Sequence, residues 1–164
     1  MKKHDLTFLF ITISLILLLT VPVTSDAFFS FTARYTLIGG FIKFFIFATY
    51  GDLISHRIRN KDYLVKGLFF KAVVWGFIGI MITFIFNIFS TGVTFLQSMN
   101  LLPFHEIALF NALFISLFMN LTFAPTMMLF HRITDHYIEH KVDNKVHQLG
   151  QSIEAVDYKF FIDF

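Results

Sequence analysis

Two groups of residues in this chain have the types and spacing to do chemistry. The first is His136, His140, Asp143 and His147, separated by four, three and four residues. On a helix that spacing puts three imidazoles and a carboxylate in one row. Two histidines at i, i+4 can share a metal ion, so the four are candidate metal ligands. One straight helix, however, cannot wrap four ligands around a single tetrahedral ion. The competing reading is an amphipathic helix lying on a membrane surface. Its apolar stripe is Ile138, Val142, Val146, Leu149 and Ile153.

The second group centres on Asp52, in the stretch FATYGDLISHRIRN. Here a carboxylate sits about one turn from lipid-soluble helix, with His56 one turn further on. A carboxylate near a helix C-terminus is opposed by the helix dipole and needs a cation. Lys71 and Arg132 are the expected partners, because they and His131 fall at the same depth as Asp52. Ionisable groups in or beside membrane spans are functional candidates. A salt bridge that only fixes the bundle near the interface explains the same residues.

No other catalytic pattern is present. There is no Gly-rich phosphate loop and no Gly-x-Ser-x-Gly. HRITDH lacks the glutamate placement of a zinc-protease helix. The chain has no cysteine, which excludes thiol catalysis, disulfides and cysteine-zinc sites. The expectation is a protein that is not an enzyme and needs no cofactor.

The elements that must position these residues are membrane helices. Of 164 residues 56% are hydrophobic and only 15% charged, where a soluble domain has about a quarter charged. With 25 Phe as well, a soluble monomer would expose too much apolar surface. The net charge of +2 is too small and dispersed for nucleic acid. A bilayer core about 30 Å thick needs roughly 20 apolar helical residues. Four stretches qualify: residues 6–23, 35–54, 68–96 and 106–130. The third is longer than needed and must tilt or reach into water. Nothing alternates like a barrel strand, so the spans are helices.

The first stretch has two readings. Lys2 and Lys3, an apolar run and Ser25-Asp26-Ala27 also fit a cleaved signal peptide. The run of about 18 residues is longer than a usual signal core and favours an uncleaved helix. Lys and Arg alternate rich and poor along the N-terminus, the three short loops and the tail. That pattern puts both termini in the cytoplasm of a cell-membrane protein crossing four times. The expected fold is all-α: four transmembrane helices over residues 1–132, then an amphipathic cytoplasmic tail over 133–164. The tail is expected as one helix closing at Gly150. The final DYKFFIDF reads as a membrane-touching tail or as the start of a further apolar segment.

Small residues at helical spacing mark packing faces. They are Thr36, Gly40, Ala48 and Asp52 in the second span; Ala72, Gly76, Gly79, Thr83 and Asn87 in the third. In the fourth they are Ala108, Ala112, Ser116, Asn120 and Ala124. All three stripes are expected to face inward, with Phe-rich faces in lipid. Asn87, Asn111 and Asn120 then either bridge helices or line a polar path with Asp52 and Lys71. Expected partners are the lipid bilayer and further copies of the chain.

Gly51-Asp52-Leu53-Ile54-Ser55 closing a helix, the aromatic-rich third span and Ala124-Pro125 within NLTFAP resemble the Mpv-seventeen and peroxisomal membrane protein family. The resemblance covers residues 49–138, without the family's C-terminal Trp-Pro and Asn-Phe signature. High Phe, Ile, Lys and Asn usage points to a bacterial relative. The resemblance implies a small multi-span helical protein, and for some members a pore for small solutes. The other reading is a structural or assembly protein in which the same residues only pack helices.

The topology has a direct check in this cysteine-free chain. In Ser98→Cys, an impermeant thiol reagent added outside intact cells should label the single cysteine without lysis. Labelling only after lysis contradicts the expected arrangement.

Overall fold

The computed structural model describes residues 3–104, 107–143 and 148–156. Among them the chain is helical, with no strands. Helix α1 spans Lys3–Thr20, α2 Pro22–Arg34, α3 Thr36–Asn60 and α4 Leu68–Ser98. Helix α5 spans Ala108–Phe118 and passes through a π-helical turn, Met119–Phe123, into α6, Ala124–Val142. Helix α7, Leu149–Ala155, follows. Three helical stretches are long and apolar enough to cross a membrane: Thr36–Asn60, Leu68–Ser98 and Ala108–Val142.

The N-terminal segment differs from the expected single span with a loop after it. Residues 24–34 are helical, and α1 and α2 meet at a 77° bend. The bent pair makes a fourth crossing only if counted as one broken span. Pro22 explains the break. It has no N–H to continue α1, but its fixed φ suits the first turn of α2. Thr24 Oγ1 donates at 3.1 Å to the Leu18 carbonyl, which Pro22 leaves without an N–H, and to that of Leu17, which also accepts from Val21 N.

Pro125 acts more gently. Its missing N–H is absorbed by the π turn before it, and the helix carries on. The last span therefore runs straight into the tail: the expected boundary at residues 132/133 falls inside α6. Among the described residues the tail holds two helices. Helix α6 ends at Val142, and Gly150 lies within α7 instead of closing a helix. Helix α7 folds against α6 through Ser152, fully buried, whose Oγ lies 3.2 Å from His136 Nδ1. The expectation for DYKFFIDF falls on residues 157–164, outside the described ones.

The tightest packing is between α3 and α4, which run antiparallel with their small-residue stripes face to face. A Cβ on Gly79 would lie 2.4 Å from the Gly40 carbonyl oxygen, and one on Gly40 would lie 2.8 Å from that of Gly79. Only glycine allows the two backbones so close. The ring of Phe41 fills the space beside Gly76. Helix α1 leans on the other side of α3, with Thr12 and Tyr50 hydroxyls 2.7 Å apart and Phe8 stacked on Tyr50. Phe69, Phe77, Phe84 and Phe95 point outward, as a lipid-facing surface requires.

The fourth stripe departs from expectation. Ala112, Ser116, Asn120 and Ala124 line an open groove of about 560 Å³ between α4 and the α5–α6 helix. The α4 wall opposite carries Ile82 and Phe86.

Gly79→Ala should cost about 1–3 kcal/mol through overpacking. Gly92→Ala, where a Cβ meets nothing within 4 Å, should be neutral or stabilise by about 0.5–1 kcal/mol. Thermal unfolding of the two variants in detergent, followed by circular dichroism, separates them.

Candidate functional site

Three elements converge at the Arg- and Lys-rich end of the bundle. The last third of α3 supplies Asp52, His56 and Arg59. The first turns of α4 supply Lys71 and Trp75. Helix α6 presents His131, Asp135 and Glu139, at i, i+4 and i+8 on one face. The connection from α3 to α4 closes one side. Its Gly67 takes a left-handed conformation (φ +66°), and a Cβ there would lie 2.4 Å from Ile138 of α6. Lys66 next to it holds Asp143 at 2.8 Å. Together these surround a cleft of about 530 Å³ open to water.

Lys71 sits at the base of the cleft with its side chain 7% exposed. Its Nζ donates to Glu139 Oε1 at 2.7 Å and to Asp135 Oδ2 at 3.3 Å. A buried ammonium needs such partners, because removal from water costs several kcal/mol per ion. His131 Nε2 lies 3.7 Å from the same Asp135 oxygen, and its ring packs on Trp75 at 4.1 Å. Asp135 Oδ1 and His131 Nδ1 are buried without a hydrogen-bond partner.

Asp52 and Lys71 line the same cleft but do not pair. The partner of Asp52 is Trp75, whose Nε1 donates to Oδ2 at 2.6 Å. The expected cation at Asp52 is thus replaced by a neutral donor, because Lys71 is drawn to two carboxylates on α6. Sequence reasoning missed Trp75, Asp135 and Glu139 as members of the site. The signal was present: His131, Asp135 and Glu139 share one face, at the depth of Lys71.

The remaining expected residues are elsewhere. Asn87 and Asn120 are exposed and donate to carbonyls one turn back in their own helices, those of Thr83 (2.7 Å) and Ser116 (2.8 Å). They neither bridge helices nor join the cleft. Asn120 lines the α4–α5 groove instead. Asn111 does bridge, donating to Gln97 Oε1 at 2.8 Å and Thr94 Oγ1 at 3.1 Å across the far end of α4.

Of the metal candidates, His147 lies outside the described residues. Of the other three, His136 and His140 pack ring on ring at 4.3 Å, and Asp143 turns to Lys66. His136 meets Ser152, and His140 Nδ1 is 2.9 Å from the His136 carbonyl. Among the described residues no three His, Asp or Glu are placed to hold a metal ion.

Lys71→Met should cost about 3–5 kcal/mol, because it strands carboxylates that faced a buried cation. Adding Asp135→Asn and Glu139→Gln should recover most of that loss, read as the unfolding midpoint in detergent. No protein-family model, curated protein or solved structure matches this chain.

Proposed function

We propose that this chain is a small membrane protein that takes a small charged solute into the cleft and passes it across the bilayer. The observation that carries this reading is the cleft itself. It is a water-open cavity of about 530 Å³ with charged groups of both signs, sunk between helices of membrane-spanning length. Pockets of a few hundred cubic ångströms suit small molecules. The likeness of the Gly51–Ser55 stretch and of NLTFAP to a family with solute pores supports the same reading.

The route would follow the seam between α4 and the α5–α6 helix. That seam is polar at both ends, with Lys71 and Asp135 at one and Thr94, Gln97 and Asn111 at the other. Its middle is apolar, with Ile78 and Met127 among its residues. Passage then requires α6 to move off α4, and the Lys71 ion pairs are the contact that must yield. In this reading the chain crosses the cell membrane four times, with the Lys- and Arg-rich end and both termini in the cytoplasm.

A second reading has its own observation. Asn87 and Asn120 are polar, exposed and within spans, the condition that favours helix association in lipid. In this reading the chain assembles with copies of itself or other membrane helices and carries no solute. Flux of charged solutes in liposomes separates the two. The first reading expects measurable flux that Asp52→Asn lowers by about tenfold, the equivalent of about 1.4 kcal/mol. Flux that is negligible with and without the substitution favours assembly alone.

A further inference from the structure

The ion pairing around the cleft leaves a remainder of one acid and one base. Lys71 is satisfied by Asp135 and Glu139, Lys66 by Asp143, and His56 by Asp62 at 3.1 Å. Among the described residues, the two other charged groups lining the cleft, Asp52 and Arg59, have no ion partner. Trp75 holds one oxygen of Asp52, and the other accepts no hydrogen bond from the described residues. Asp52 lies deeper, level with the first turns of α4, whereas Arg59 is exposed at the end of α3. They are seven residues apart, so they share a helix face about 10 Å apart along the axis. The long Arg59 side chain can shorten that gap.

We propose that the solute is a zwitterion: a primary ammonium joined by a short linker to an oxyanion. Its ammonium donates to Asp52 at the inner end, and its carboxylate or phosphate takes the Arg59 guanidinium at the mouth. Guanidinium suits either oxyanion because its N–H groups can bond two oxygens at once. The inner end rejects a second anion through Asp135 and Glu139, and the existing ion pairs stay intact. A free amino acid has this chemistry, and so does the phosphoethanolamine headgroup of a bilayer lipid. The proposal rests on the cleft being the solute site.

Trp75 is the only tryptophan of the chain and is bonded to Asp52, so its fluorescence reports the inner end. The full chain in maltoside micelles is titrated with O-phosphoethanolamine, glycine, ethanolamine and inorganic phosphate. The zwitterions should shift the emission saturably, and ethanolamine or phosphate alone should bind at least about tenfold more weakly, a difference of about 1.4 kcal/mol. Arg59→Gln should weaken zwitterion binding by a similar factor and leave the emission of the unliganded protein unchanged. Saturation by glycine identifies a water-borne source. A response confined to phosphoethanolamine, and to nanodiscs containing phosphatidylethanolamine, identifies the lipid headgroup. Ethanolamine or phosphate binding as tightly as the zwitterions, or no effect of Arg59→Gln, overturns the zwitterion and leaves a solute site. Silence to every probe overturns both.

Discussion

A lysine ammonium shut away from water at the foot of α4 constrains everything around it. Neutralising it takes carboxylates, and α6 supplies two from successive turns of one face. This demand fixes the register of α6 on α4, since a shift of one residue rotates Asp135 and Glu139 away from Lys71. It also frees Asp52, which shared depth would otherwise assign to Lys71. Asp52 settles on the Trp75 indole instead, and that choice leaves an acid open to the cleft.

A second constraint is steric. Gly40 and Gly79 bring α3 and α4 to backbone contact, and Gly67 lets the connection between them lie flat on α6. Without a hydrophobic driving force inside lipid, such close approach is what holds helices together. The α4–α5 seam has no matching glycines and stands open along its middle. The molecule is thus firm along α3–α4 and loose along α4–α6, where ion pairs at one end and Asn111 at the other secure the ends of the seam.

Proline sets the remaining shape, and its effect depends on place. Pro22 divides the N-terminal segment into two helices, whereas Pro125 leaves only a π turn. Thr24 Oγ1 donates to the Leu18 carbonyl at the Pro22 break, and before Pro125 Thr122 Oγ1 donates to Phe118 O one turn back at 2.6 Å.

What the sequence determined by itself was the class of the molecule: helical, apolar and long enough in several stretches to cross a bilayer. Those properties are local, set by composition and run length. The stripes of α3 and α4 were legible for the same reason, since small residues at helical spacing mark packing faces. Only the tertiary structure decided which partner each charge takes. Lys71 could reach acids on two helices, and the choice depends on the register of α6, which no spacing within α4 encodes. The fourth stripe was misjudged because small residues permit close packing but do not compel it; it lines an open groove facing Ile82 and Phe86. The bend at Pro22 depends likewise on where α2 finds support against α3, a contact between segments and not a property of either one.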